Sequence, residues 1–163
     1  MLRKTPCFFI FAICLFLRAN CETKAYNYET LAMQVQKNTA QELAVTFNLR
    51  PIGFVGFGGS MMDHIKRMAI MFECDRDLSI EEGTELLKKS TQIFIQNVNR
   101  SESIRPYLVQ YPANIENVEI IIYPNKGHFN TDNEAIRSLS YYKGEMYFIS
   151  GKELTKKTAL MHK

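Results

Sequence analysis

The sequence predicts an α+β domain, with an antiparallel sheet of about four to five strands and two helices packed on one face. Stretches in which apolar and polar residues alternate outnumber the stretches with helical periodicity, and several of the alternating stretches follow one another directly. Each alternating stretch has one polar face, which is typical of an antiparallel sheet covered on a single side.

The first half of the domain predicts the order helix, strand, loop, strand. Residues 28–43 carry apolar side chains at four-residue spacing, which indicates an amphipathic helix. Residues 44–50 alternate like a half-buried strand. Residues 53–60 hold four of the eight glycines and predict a bulged strand or a flexible loop. Residues 64–74 alternate again, so we expect a second strand there.

The second half predicts a helix, a strand and a hairpin. Ser79 and Glu82 have the spacing of a capping box, so a helix should begin there and run to about Val98. Gly83 lies inside this helix and indicates close packing against a strand. Residues 117–123 form the most strongly strand-like segment. Residues 136–142 and 145–150 flank a Lys-Gly pair as a hairpin, and the tail from residue 152 is expected to be frayed or weakly helical.

The first 21 residues resemble a secretory signal peptide. Arg3 and Lys4 precede an unbroken apolar run at residues 7–17, and polar and small residues follow it. Eleven apolar residues are too few for a spanning helix, which needs about 20. We therefore expect an exported chain, periplasmic or secreted, with a single domain at 22–163 and a basic C-terminal tail. Cleavage after Cys21 and lipidation of Cys21 as a lipoprotein both stay open.

The charge and the cysteines follow from this prediction. Three of the 20 Lys and Arg residues and none of the 17 acidic residues lie in the signal, so the rest of the chain is balanced. No long basic stripe remains, and we expect no nucleic-acid partner and no membrane contact beyond the signal or a lipid on Cys21. Cys74 is the one cysteine certain to remain, which excludes an intrachain disulfide framework.

No cofactor or metal site is predicted. In the glycine-rich segment, Gly53 and Gly58 have the spacing of a phosphate-binding loop, but Gly59 stands where that loop needs lysine. Met61 likewise stands where a dinucleotide-binding pattern needs its third glycine. The three histidines are not spaced for a zinc site.

A non-enzymatic binding module for a protein or envelope partner is the function that these observations favour. Exposed aromatic residues on a glycine-hinged loop suit recognition, and arginine and tyrosine are frequent at interface hot spots. The candidate contact residues are therefore the loop residues Phe54, Phe57, Met61 and Met62, and, as a second choice, Arg105, Tyr107 and Tyr111.

Two alternatives belong to other classes. One is an enzyme that uses Cys74 or His64, which would need a reachable thiol of low pKa or a base held beside a nucleophile. The other is a structural envelope component anchored by a lipid on Cys21.

Three segments resemble a family of uncharacterised exported bacterial proteins. They are GGSMMD at 58–63, SIEE at 79–82, and IRPYL at 104–108 with the Tyr-Pro pair at 111–112. The resemblance covers about half of the expected mature chain. It implies export from a bacterium and brings no activity, cofactor or site residue with it.

Overall fold

The computed structural model describes residues 27–58, 64–125, 135–150 and 154–158. Two long helices, a short 3-10 helix and six strands follow one another in these ranges. In chain order they are α1 (Asn27–Phe47), β1 (Arg50–Gly58), β2 (Ile65–Cys74), α2 (Ile80–Arg100), the 3-10 helix (Arg105–Tyr107), β3 (Val118–Pro124), β4 (Ile136–Tyr142), β5 (Glu145–Ser150) and β6 (Leu154–Thr158). The segment predicted to be a signal peptide lies outside these ranges.

The six strands form one sheet in which spatial order follows chain order. Every neighbouring pair is antiparallel except β2 and β3, which are parallel. The predicted α+β class is confirmed, with a sheet that is mostly rather than wholly antiparallel. The parallel pair arises because α2 connects β2 to β3 and returns the chain to the end of the sheet from which β2 started.

The boundary between α1 and β1 differs from the prediction. Residues 44–47, expected to begin a strand, continue the helix, and Val45 is 88% exposed on its outer side. The helix ends where Asn48 takes the left-handed conformation with φ 53°, which asparagine tolerates better than most residues. Three alternating apolar residues, Val45, Phe47 and Leu49, are too short a pattern to separate a strand from a helix end.

Both predicted features of α2 are confirmed. The Glu82 amide donates to Ser79 Oγ at 3.2 Å and the Ser79 amide donates to Glu82 Oε2 at 3.0 Å, which completes the capping box. A β-carbon added at Gly83 would lie 3.2 Å from Leu139 Cδ1 and 3.5 Å from Phe148 Cε1. The missing side chain therefore lets α2 approach β4 and β5 closely.

The C-terminal half of the sheet contains one confirmed prediction and one correction. The hairpin turns at Lys143 and Gly144, whose φ values of 50° and 79° are those of a type I′ turn. The tail predicted to be frayed or weakly helical instead supplies β6, which pairs along β5. Edge backbone groups of β5 can be satisfied by any passing segment, and the polar residues of the tail gave no periodic signal for this.

The core lies between the helices and the face of the sheet that they cover. Alternate residues of the central strands point to the helices and are buried, which sets the register of the sheet. The largest fully buried side chains of this layer include Leu43, Met68, Phe72, Phe94 and Tyr141. None of the helices in the described ranges is both long and apolar enough to cross a membrane.

Candidate functional site

A surface cleft opens between the first half of α1 and the adjoining strands β1 and β2. Its volume is about 250 Å³. Five residues on one face of α1, within its first turns, form one wall: Tyr28, Glu29, Ala32, Met33 and Gln36. We call this space the α1 cleft.

The strands form the other wall of the α1 cleft. β1 contributes Phe54 and Gly56, and β2 contributes Ile65 and Met68. His64, which directly precedes β2, also lines the cleft. Phe54 and Gly56 lie two residues apart, so both face the helices. The lining is mainly apolar. Its volume is just below the roughly 300 Å³ at which pockets for drug-sized ligands begin, so it suits a group of the size of one large side chain.

A buried glutamine fixes the position of α1 beside this cleft. Gln36 is 3% exposed, and its Nε2 donates to the carbonyl oxygens of Val55 at 2.8 Å and of Ala69 at 2.9 Å. Because both partners are acceptors, the amide orientation is determined and its oxygen is left to accept. Gln36 was not predicted as a functional residue, although a polar residue between Ala32 and Ala40 on the apolar face of α1 was a signal for it.

The structure divides the first group of predicted contact residues. Phe54 is half-buried, lines the α1 cleft and packs against the core. The backbone of Phe57 pairs with Arg67 near the end of β1. Met61 and Met62 lie outside the described residues. The described part of the glycine-rich segment, residues 53–58, lies in the bulged strand β1, which has register shifts near both ends.

The second group lies beside the first. Tyr107 is half-buried, and its ring centroid is 6.0 Å from that of Tyr28 in the cleft wall. The Val109 amide donates to the carbonyl of Ile65 at 3.0 Å, which holds this segment against the start of β2. Tyr28 therefore connects the cleft to the second group, a contact between distant residues that the sequence analysis did not identify.

Arg105 and Tyr111 form a separate pair at the surface. The Arg105 guanidinium carbon lies 4.6 Å from the centroid of the Tyr111 ring, and both side chains are exposed. They belong to the segment that carries Tyr107, but they do not line the α1 cleft.

The proposed enzymatic residues do not meet. His64 directly precedes β2 and Cys74 ends it, so they lie at opposite ends of a ten-residue strand, roughly 30 Å apart. The Cys74 thiol is free and its residue is 2% exposed. Cys74 therefore packs in the core as a small apolar side chain. His128, which could also have joined such a site, lies outside the described residues.

The face of the sheet away from the helices carries a polar cluster. Arg67 Nε lies 3.6 Å from Glu119 Oε2, and the Arg67 guanidinium carbon is 4.4 Å from the centroid of the Tyr142 ring. Burial raises the pKa of Glu119, an effect that Arg67 opposes. Hydrogen bonds with Arg67 and Lys143 lower the pKa of Tyr142. The Glu119 carboxylate therefore offsets the charge of Arg67, and Lys143 lies over the other side of this cluster at the Tyr142 ring.

In the described part of the chain, no three His, Cys, Asp or Glu side chains are grouped so that they could hold a metal ion. Met68 and Met71 lie on opposite faces of β2, as the alternation predicted, so they cannot share a ligand. Comparisons with protein-family models, with curated proteins and with solved structures find no match.

Proposed function

We propose that this protein is an exported, non-enzymatic binding module that receives an apolar group of a protein or envelope partner in the α1 cleft. The observation that carries the proposal is the cleft itself. Tyr28, Met33 and Phe54 leave part of their apolar surface accessible around this space, and exposed apolar concavities are typical of interaction sites. Phe54 supplies an aromatic wall, and Tyr28 extends the apolar surface to Tyr107.

Export is part of the proposal and rests on the sequence. Residues 1–21 have the charge and hydropathy pattern of a secretory signal, and the resemblance to exported bacterial proteins supports the same destination. The intact mass of the protein from its source tests this point. A chain that begins at Glu22 supports a released module, whereas a lipidated Cys21 would make the protein a membrane-anchored envelope component.

An enzyme that uses Cys74 or His64 is the weaker proposal. A nucleophilic thiol must be reachable, and the side chain of Cys74 is enclosed by the core. If a thiol reagent modified Cys74 in the native protein as fast as in the unfolded chain, the result would support the enzyme proposal.

A neutral aromatic probe tests binding in the α1 cleft. Benzyl alcohol, titrated into ¹⁵N-labelled protein, should shift the amide resonances of residues 28–36, 54–56 and 64–68 ahead of all others. Gly56→Leu should abolish these shifts, because a β-carbon at Gly56 meets no atom within 4 Å and the leucine side chain can occupy the cleft.

A matched pair on α1 provides the control. Met33 lines the cleft and is 47% exposed, whereas Val45 is exposed on the same helix and does not line the cleft. Met33→Glu should weaken binding of the probe and Val45→Glu should not. Equal effects of the two variants, or shifts spread evenly over the spectrum, would contradict the proposal.

A further inference from the structure

The α1 cleft contains an acidic group and no basic side chain of lysine or arginine among the described residues that line it. Glu29 stands at the exposed side of the cleft, and the Tyr28 hydroxyl donates to its Oε1 at 3.4 Å. The carboxylate is thus held next to the aromatic wall. A ligand with a negative charge would be repelled by it, and a positive charge would be attracted.

The aromatic rings favour the same sign of charge. Tyr28 and Phe54 both line the cleft, and the face of an aromatic ring attracts a cation through its quadrupole. The ring of Tyr28 packs against the ring of Tyr107. A cation placed between these rings would also lie near Glu29.

Two further polar side chains, Gln36 and His64, line the cleft. Both donated hydrogens of the Gln36 amide are used by backbone carbonyls, so the amide can only accept a further hydrogen bond. The carboxylate and the ring faces complement a group that carries positive charge, and the Gln36 amide offers no free hydrogen to oppose it.

We infer that the group that enters the α1 cleft is a long basic side chain, lysine or arginine, of a partner protein. The inference rests on the proposed function. The volume of about 250 Å³ accommodates one such side chain, whose methylene stem would contact the accessible lining residues Tyr28, Met33 and Phe54. Its charged end would reach Glu29 at the open side, where it can keep part of its hydration.

Two capped tripeptides test the inference: alanine–lysine–alanine and the same peptide with norleucine, which keeps the stem and lacks the ammonium group. Binding is followed by amide shifts of ¹⁵N-labelled protein at pH 8, where free imidazole is neutral. The lysine peptide should bind about two- to fivefold more tightly than the norleucine peptide, as expected for a cation over an aromatic ring at an exposed site.

Variants assign the effect to the cleft. Glu29→Gln should remove the advantage of lysine, whereas Glu102→Gln, at an exposed position that does not line the cleft, should keep it. Gly56→Leu should abolish binding of both peptides. An unchanged spectrum away from the substitution shows that each variant is folded.

The outcomes separate this inference from the proposed function. If the norleucine peptide binds as tightly as the lysine peptide and Gly56→Leu abolishes both, the basic side chain is excluded and the apolar cleft stands. If neither peptide shifts the resonances of the cleft, both proposals fail. If pentylamine binds as tightly as the lysine peptide, the backbone of a partner contributes nothing, and the assignment to a protein partner is overturned.

Discussion

The two long helices have the same length and cover the same face of the sheet, yet they meet it differently. Each has 21 residues. α2 lies close to β4 and β5 where Gly83 contacts Leu139 and Phe148, and it fills the interface with large side chains such as Leu87 and Phe94. α1 presents Ala32 and Gln36 to β1 and β2 and leaves the α1 cleft open.

The difference shows two ways of holding a helix on a sheet. Apolar filling holds α2, and its stabilisation grows with the area removed from water. Hydrogen bonds from Gln36 to two strands hold the first half of α1 without filling the space beside it. Such bonds fix position at a modest net gain in stability, of about 1 kcal/mol each. We therefore expect stability to depend on the α2 side and binding to depend on the α1 side.

The largest expected effect separates the two sides by truncation. Phe94 lies on the inner face of α2 and is fully buried. Phe94→Ala should lower the free energy of unfolding by about 3–5 kcal/mol because it leaves a cavity. Met33→Ala, in the exposed wall of the cleft, should change it by less than about 0.5 kcal/mol. Urea unfolding followed by circular dichroism measures both. Similar losses for the two variants would show that the cleft wall is part of the stabilising core.

Substitutions at two glycines test the same comparison of the α1 and α2 sides by adding side-chain volume instead of removing it. Gly83→Leu should destabilise the protein by about 1–3 kcal/mol, because the new side chain is forced against Leu139 and Phe148. Gly56→Leu should change stability by less than about 0.5 kcal/mol, because the space next to its β-carbon is empty. The same urea measurement applies. A large loss for Gly56→Leu would mean that the cleft closes in solution.

The smallest effect concerns the start of α2 and its dependence on pH. The hydrogen bond that the Ser79 backbone amide donates to the Glu82 carboxylate is the largest cause of a lowered pKa of Glu82. The interaction with the Ser79 hydroxyl is the second cause. Folding therefore favours the charged carboxylate. Its stabilisation is present above the ordinary carboxyl pKa of about 4.5 and is lost as the pH falls through the lowered value.

Ser79→Ala should accordingly cost about 1 kcal/mol of unfolding free energy at pH 7 and less at pH 3. Glu82→Gln is the control, since glutamine keeps the capping geometry and does not titrate. The unfolding free energy of this variant should therefore vary less between the two pH values than that of the unchanged protein. A cost of Ser79→Ala that is the same at both pH values would show that the carboxylate takes no part in the cap.

Local features could be predicted where the signal lies within a few residues. The capping box at Ser79 and Glu82, the turn at Lys143 and Gly144, and the alternation of β2 were all recognised, because each depends on contacts between neighbours in the chain. The end of α1 was misplaced because its last turn and a short strand have similar patterns. β6 was missed because its pairing with β5 provides order that its own polar residues do not encode.

The candidate site was only partly predictable for the same reason. Phe54 was identified from its glycine-rich surroundings and Tyr107 from its residue type, but nothing in the sequence placed them near each other. Glu29 and Gln36 were missed because a polar residue on a helix becomes informative only when the opposite wall is known. One extended strand holds Cys74 and His64 apart, so an enzyme that uses either residue would have to do so without the other.

By itself the sequence determined which residues form α2, β2 and the β4–β5 hairpin, since periodicity and turn chemistry act at short range. Tertiary structure alone decided the parallel pairing of β2 with β3, the addition of β6, the assembly of Tyr28 and Phe54 around one cleft, and the packing of Tyr107 on Tyr28. These features depend on contacts between segments far apart in the chain, whose relative positions are set by packing of the whole core and not by any local pattern.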